Sequence, residues 1–287
     1  MAHSDRVRRC FLSLALFTFL LALAANVTPV AYLDAMAHQS DVVVSKPERR
    51  EMRLAGTPHD PIVIDGDANF SDTVLLEGWP GDGSPENPYI IDGLDIDLGG
   101  AAGDCISISN TRISFIIRNC NLTGAGYWGP DEWDWDLGER AGIYLENITN
   151  GELVNNICNS NGRGISIESS NSITVFNNTC NSNGWGIWLS DSDSSTVVSN
   201  TCNGNRADGI SLPDGSFNTV SDNTCNDNEW GIWQVGSHYN TVVNNTCSNN
   251  VFVGIDVIES NSNTVSDNTC NGNDIGINLD TSYFNNV

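Results

Sequence analysis

The sequence predicts an all-β fold, a right-handed parallel β-helix that stacks coils of about 22 residues. Three observations predict it: a cysteine recurs at a nearly constant interval, asparagines recur at fixed distances on either side of it, and each unit holds short alternating apolar segments. No helical period fits these segments. A unit of this size can bury its apolar side chains only against identical neighbours, so the units must stack.

The cysteines set the repeat. Six of them are separated by 22, 22, 23, 22 and 23 residues: Cys158, Cys180, Cys202, Cys225, Cys247 and Cys270. This regular spacing indicates a structural repeat rather than a disulfide framework. Parallel side chains on stacked coils keep their Cβ atoms too far apart for disulfides, so we expect free, buried thiols. A metal-binding thiol column is the alternative, although a ladder offers parallel rather than converging ligands.

Asparagines accompany each cysteine at two fixed positions. Those that stand two residues before it are Asn156, Asn178, Asn200, Asn223, Asn245 and Asn268, and those three residues after it run from Asn161 to Asn273. Asparagines stacked on asparagines can pass amide hydrogen bonds along the stack, as in cross-β structures. Asparagine also tolerates the left-handed backbone of tight turns. We therefore expect asparagine ladders.

Flanking segments complete the domain organisation. Residues 1–37 are typical of a signal peptide, with arginines before an apolar run, and a retained N-terminal membrane anchor is the alternative. We interpret residues 38–58 as a polar linker, 59–88 as the N-terminal cap of the solenoid, and 89–287 as the repeats. The last coil is cut short at the C-terminus, which favours a fragment of a longer protein or end-to-end self-association through a bare edge.

The charge excludes one class of partner. The chain has 12 basic and 36 acidic residues, for a net charge of -24. Such a surface repels phosphates, so we expect no nucleic-acid partner. Together with the predicted signal peptide, the acidity favours a secreted or cell-surface protein.

An acidic, tryptophan-rich insertion interrupts the repeats at residues 126–138. Its carboxylates and the one that follows it are Asp131, Glu132, Asp134, Asp136 and Glu139. Calcium takes six to eight oxygen ligands in loose geometry, so this loop could hold that ion. It lacks a defined calcium-loop spacing, and a solvated acidic loop is the alternative.

The outward positions of one strand column carry aromatic residues. Alternation along the recurrent Gly-Ile phrase points one residue per coil outward: Tyr144, Ser166, Trp188, Ser211, Trp233, Asp256 and Asn278. Trp188 and Trp233 lie two coils, or about 10 Å, apart. We expect Trp185 and Trp230, in the adjoining turn, to widen this platform. Exposed indoles at that separation could stack on alternate sugars of a glycan; packing of the tryptophans on one another is the alternative.

The repeats resemble a known family. The phrases "GSPENPYIIDGLDI" and "NTVSDNTCNDNEWGI" are similar to those of right-handed β-helix proteins of the NosD-like, carbohydrate-binding and sugar-hydrolase group, over residues 57–287. The resemblance implies the fold and an exported archaeal or bacterial surface protein, but the group includes enzymes, binding proteins and fibres. Its name-giving member is linked to copper delivery, for which the four histidines and three methionines offer no cluster.

Catalysis has weaker support in the sequence. β-helix hydrolases resembling polygalacturonase carry Asp-Asp and Gly-His-Gly phrases, and neither occurs in this chain. Arg163, Asp208 and Asp256 lie on nearby coils and could form an acid–base group, but solvated surface charge is the favoured interpretation. We therefore predict a surface β-helix that binds a glycan or another partner. A polysaccharide lyase or glycoside hydrolase is the first alternative, and a structural stalk is the second.

Overall fold

The computed structural model describes residues 56–126 and 140–287 and confirms the predicted all-β parallel β-helix. The chain winds through three parallel sheets, and each coil adds strands to them in turn. In this part of the chain, no helix is long and apolar enough to cross a membrane.

Sheet 1 has nine strands and carries the Gly-Ile phrases. Strands are numbered in chain order, and those of sheet 1 are β2 (Ile62–Asp65), β5 (Ile106–Thr111), β8 (Ala141–Ile148), β11 (Arg163–Glu168), β13 (Trp185–Ser190), β15 (Asp208–Pro213), β17 (Trp230–Val235), β19 (Val253–Ile258) and β21 (Ile275–Asp280). Its neighbours pair in strict register, with the isoleucine of each Gly-Ile phrase beside its counterpart, as in Ile165, Ile187 and Ile210.

Sheets 2 and 3 complete each coil. The strands of sheet 2 are β3 (Tyr89–Asp92), β6 (Phe115–Arg118), β9 (Gly151–Val154), β12 (Thr174–Phe176), β14 (Thr196–Val198), β16 (Thr219–Ser221), β18 (Thr241–Val243) and β20 (Thr264–Ser266). Those of sheet 3 are β1 (Thr57–Pro58), β4 (Leu94–Asp97), β7 (Asn121–Thr123) and β10 (Ile157–Asn159). Beyond β10 this side continues as single bridges between threonines, from Thr179 to Thr269.

The core is a narrow column of small and branched apolar side chains. Valine, cysteine, isoleucine and leucine recur in it, and Cys158 to Cys247 are fully buried free thiols. The glycine before each isoleucine leaves room for this column. At Gly209 a Cβ atom would lie 2.6 Å from the carbonyl oxygen of Gly231 and 2.8 Å from Cβ of Cys225. A larger residue there would push neighbouring coils apart.

Two buried asparagine ladders run along the column. Asn178 donates its backbone N–H to Oδ1 of Asn200 at 2.9 Å, and its Nδ2 donates to the same oxygen at 3.1 Å and to the carbonyl of Leu153 at 2.9 Å. The second ladder repeats this pattern, with Asn183 bonded to Asn205 and to the carbonyl of Cys158. Each side-chain amide therefore satisfies two buried backbone groups of the preceding coil and bonds to the asparagine of the next one.

Left-handed residues turn the chain at the corners of each coil. One corner column, with φ between 53° and 58° at the positions quoted, contains Asn177, Ser199, Asp222, Asn244 and Asp267. Asparagine, aspartate and serine tolerate this conformation because their short polar side chains bond locally. The corners explain much of the polar composition of the repeats.

A single described helix, α1 (Gly66–Glu77), lies within the segment predicted as the N-terminal cap. Phe70 and Val74, one turn apart, are its buried residues. Phe70 contacts the rings of Tyr89 and Phe115 at 5.7 and 5.6 Å between centroids. The helix therefore covers the aromatic start of the core, where β2 and β5 pair.

The first ladder predicts a large loss of stability for Asn223→Ala. The change would leave Asn200 without its acceptor and the carbonyl of Val197 without its donor. Unsatisfied buried groups cost about 1–3 kcal/mol each, so we expect a loss of at least about 2 kcal/mol, measured by urea denaturation.

The matched control is Asn177→Ser, at an exposed corner where the next coil already has Ser199. This change should shift stability by less than about 0.5 kcal/mol. Equal losses in the two variants would contradict the proposed role of the ladder.

Candidate functional site

The outward face of sheet 1 brings the predicted tryptophans together. We define the tryptophan face as Trp185, Trp188, Trp230 and Trp233 with Ser211 between the two pairs. Ser211 pairs in register with Trp188 on one side and with Trp233 on the other. All four indoles are partly buried, and Trp185 and Trp230 open their strands rather than lying in turns.

The rest of the predicted outward column also lies in register. Tyr144 pairs with Ser166, and Ser166 pairs with Trp188. At the other end Trp233 pairs with Asp256, which pairs with Asn278. The two serines are fully buried, so the larger side chains above and below cover them.

The first tryptophan pair rests on a buried cation. The rings of Trp185 and Trp188 meet edge to face, with centroids 6.0 Å apart. The guanidinium carbon of Arg163 lies 4.6 Å from the ring centroid of Trp188 and 5.7 Å from that of Trp185. This is cation–π geometry, and it restrains both indoles.

Arg163 is held in place by polar partners on its own strand. Its Nη1 donates to Oε1 of Glu168 at 2.8 Å and to Oγ of Ser166 at 3.1 Å, while Nε has no partner. Arg163 is 8% exposed, so the interpretation as solvated surface charge is wrong for this residue. The hydroxyl of Tyr144 donates to Oε2 of Glu168 at 3.5 Å, and burial raises the pKa of Tyr144.

The second pair rests on a carboxylate and a ring. Trp230 lies 4.9 Å from Phe252, centroid to centroid, and Trp233 pairs in register with Asp256. Nδ2 of Asn278 donates to Asp256 at 2.9 Å. Burial raises the pKa of Asp256, which is also nearly covered. Phe252 was not singled out in the sequence, because it stands at the variable position before the Gly-Ile phrase.

A buried carboxyl lies between the two pairs. Asp208 opens β15, pairs with Trp230 and is only 5% exposed, so it is not a solvated charge either. Oγ of Ser211 donates to its Oδ2 at 2.5 Å. Burial raises the pKa of Asp208 to about 7, and the nearby charges of Glu229 and Asp256 add to the shift.

This arrangement combines two kinds of recognition group. Indole rings offer large, restrained apolar surfaces, and Asp208 offers a carboxyl that can accept or donate hydrogen bonds near neutral pH. A carboxyl with a pKa near 7 is also suited to proton transfer. The site is therefore an aromatic surface with one central polar group.

Two other predicted features are the acidic insertion and the cysteine column. The insertion at residues 126–138 and its candidate calcium ligands, Asp131 to Glu139, lie outside the described residues, apart from Gly126. The structure places the six repeat cysteines in a single inward column, with Cys270 partly buried at its end.

Asp208 predicts a pH dependence of stability. An unfolded aspartate has a pKa of about 3.9, and the folded value is about 7. Between these values the folded state keeps a proton that the unfolded state has lost. The free energy of unfolding should therefore fall as pH rises from about 4 to about 7 and then level off. Asp208→Asn should remove this contribution and exceed the wild type in stability at about pH 8, by up to about 4 kcal/mol.

The measurement is urea denaturation of both proteins across this pH range. Asp267→Asn, at an exposed corner, serves as the matched control because Asn244 occupies the same corner one coil earlier. A wild-type and an Asp208→Asn curve that stay parallel from about pH 4 to about pH 8 would contradict a buried, protonated Asp208.

Two solved structures share the architecture. A mutant of the periplasmic alginate epimerase AlgG matches with 16% identity and a TM-score of 0.51, over 68% of this chain and 49% of that one. A mutant of DFA-IIIase from Arthrobacter chlorophenolicus A6, in complex with DFA-III, matches with 15% identity and a TM-score of 0.51, over 74% and 54%. This chain thus spans about half the length of each. No curated protein matches the sequence.

A family profile described as "Periplasmic copper-binding protein (NosD)" matches residues 116–287. Copper would need converging thiolate, thioether or imidazole ligands. Within residues 56–126 and 140–287, no group of three or more His, Cys, Asp or Glu side chains could hold a metal ion. Burial raises the pKa of Cys105 to about 12, which opposes the thiolate form, and the ring of His59 is bonded to Glu77 at 3.0 Å. These residues do not fit copper.

The profile covers more than half of the chain and begins within β6. The matched segment includes all six cysteine coils, both asparagine ladders and the whole tryptophan face. Its parallel β-helix agrees with the architecture of the solved neighbours. The chain therefore belongs to the NosD family.

Proposed function

We propose that this protein is an exported β-helix protein that binds a glycan along the tryptophan face. The observation that carries the proposal is the pair of restrained indole clusters, set two coils apart on one sheet. Two strand spacings are about 10 Å, which suits stacking on alternate sugars of a chain. Tyr144 extends the same column by two more coils.

Sugar rings have apolar C–H faces and polar edges, and the site offers a partner for each. The indoles supply the apolar surface, and the carboxyl of Asp208 lies between them. A few polar groups in an apolar setting are typical of small-ligand sites. Because Asp208 is 5% exposed, its side chain would have to move on binding before hydroxyl groups at the ring edge could exchange hydrogen bonds with it.

The face is restrained before any ligand binds. Arg163 stacks on the first tryptophan pair, and Phe252 and Asp256 contact the second. Restrained side chains lose less conformational freedom on binding, which favours affinity. This supports a binding surface, because tryptophans packed only for stability would not require exposure.

The comparisons give this proposal general support. One solved neighbour is named as an alginate epimerase, and the other is described in complex with DFA-III. Their low identity shows the fold alone, so the ligand of this chain has to be argued from its own face. The family description includes the word periplasmic, which agrees with export through the signal peptide proposed for residues 1–37.

Other features complete the proposal. Calcium bound by the insertion carboxylates, Asp131 to Glu139, is part of the proposal. It is not required for binding along the tryptophan face. On charge alone, we expect no nucleic-acid partner.

A specific observation also favours a second candidate, cleavage of a polysaccharide. Asp208 combines burial, a short hydrogen bond from Ser211 and a pKa of about 7 within the aromatic surface. These properties suit a general acid that protonates a leaving oxygen. A structural stalk, the third possibility, would need neither the indoles nor this carboxyl.

Replacing one indole from each pair should weaken glycan binding strongly. Trp188→Ala with Trp233→Ala removes two stacking surfaces, and each is worth about 1–3 kcal/mol by analogy with base stacking on aromatic side chains. We expect the affinity to fall by about 30-fold or more in titration calorimetry against a panel of polysaccharides, with circular dichroism unchanged.

The matched control is Tyr239→Ser. This exposed aromatic residue stacks on Phe217 at another corner, where the next coil has Ser262. Its loss should leave affinity unchanged. If no polysaccharide binds the wild type, the stalk becomes the better description, and if the double variant binds normally, the tryptophan face is not the site.

A separate experiment tests whether the protein cleaves a polysaccharide. Prolonged incubation with each bound polymer should release reducing ends if Asp208 is a general acid, and Asp208→Asn should reduce the rate by about 100-fold or more. Asp267→Asn should cleave at the wild-type rate. Binding without release of new ends would exclude this candidate and leave the binding protein.

A further inference from the structure

We propose that the tryptophan face selects glycans without acidic groups and rejects polyuronates and other anionic polysaccharides. The inference rests on the proposed function and names the class of glycan that the same site would take. The positions of the charges around the indoles carry it.

The buried cation of the tryptophan face, Arg163, is already paired within the protein. Recognition of a sugar carboxylate requires a free guanidinium or ammonium group, usually with paired hydrogen bonds. Arg163 lies beneath the indoles and is only 8% exposed. Its Nη1 is bonded to Glu168 and Ser166, so its charge is neutralised within the protein.

Other arginines near the face do not alter this balance. Arg206, on the turn before β15, is partly buried and has a partner of its own. Arg140 stands immediately before β8, beyond Tyr144, where its charge acts on Asp104. Arg206 lies on the coil between the two tryptophan pairs, two residues before Asp208, but it is already engaged within the protein, and Arg140 lies outside that coil.

Carboxylates stand on the coil between the pairs, at Asp208, and on the two coils after it, at Glu229 and Asp256. Asp208 is 5% exposed, and the charges of Glu229 and Asp256 act on it. A sugar carboxylate placed over this coil would meet like charge, and its desolvation would not be compensated. An uncharged sugar would bring only hydroxyl groups and would meet no such repulsion.

The whole molecule adds a weaker repulsion of the same sign. With a net charge of -24, the protein slows the approach of any polyanion at low salt. This long-range effect is screened at high salt, whereas a contact between neighbouring carboxylates is screened much less. Measurements at both salt concentrations therefore separate local selection from general repulsion.

The test compares pairs of hexasaccharides that share linkage and stereochemistry and differ in the carboxylate alone: mannose with mannuronate, glucose with glucuronate, and galactose with galacturonate. Each is titrated into the full chain by calorimetry at about pH 8, at low and at high salt. We expect the neutral member of the pair that binds best to exceed its uronate by about tenfold or more, with most of this difference kept at high salt.

Two variants test whether Asp208 causes the preference for neutral glycans. Asp208→Asn should reduce the neutral-to-uronate ratio, since it removes the central carboxylate, whereas Asp267→Asn removes an equal charge at a distant corner and should leave the ratio unchanged. A uronate that binds as tightly as its neutral partner, or a preference that vanishes at high salt, would overturn the inference while leaving glycan binding intact. If none of the six hexasaccharides binds, the proposed function fails and this inference falls with it.

Discussion

Buried amide hydrogen bonds between successive coils are the constraint on which the structure depends. The side chain of each ladder asparagine accepts from a backbone N–H and donates to a carbonyl of the preceding coil, as Asn178 does with Asn156 and Leu153, and it also donates to the asparagine of the next coil. A one-residue slip would leave several buried groups without partners at once. Changes in coil length are therefore confined to the turn before the Gly-Ile phrase, at residues 203–208 and 248–253.

This strict register also fixes the outward surface. Because inward positions are locked one above another, each outward side chain has a defined neighbour on the coils above and below. Large indoles alternate with small residues such as Ser211, which gives every ring room to lie over its neighbour. The two pairs then use opposite supports, the cation of Arg163 for one and the carboxylate of Asp256 for the other.

The features that follow from the repeat of residue types along the chain could be predicted from the sequence. The burial of individual outward side chains could not, because it depends on neighbouring coils that cover them. The recurrence of Cys and Asn predicted the coils, the sheets and the outward column. Alternation cannot tell whether an outward residue is covered, so the burial of Arg163 and Asp208 beneath neighbouring indoles went unpredicted. Helix α1 was missed because two buried residues, Phe70 and Val74, give almost no periodic signal.

Inward and outward positions have separate roles, so membership of the family does not determine which ligand the outward surface binds. The features that recur along the matched segment are the inward ones, cysteine, asparagine, glycine and isoleucine, which serve the stack. The outward residues differ from coil to coil, as Tyr144, Trp188 and Asp256 do, because they do not line the core. A shared stack therefore carries no copper chemistry by itself, and the thiols that could attract that metal are the residues most deeply enclosed. What this chain recognises has to follow from the indoles and carboxyls that its ladders hold at the surface.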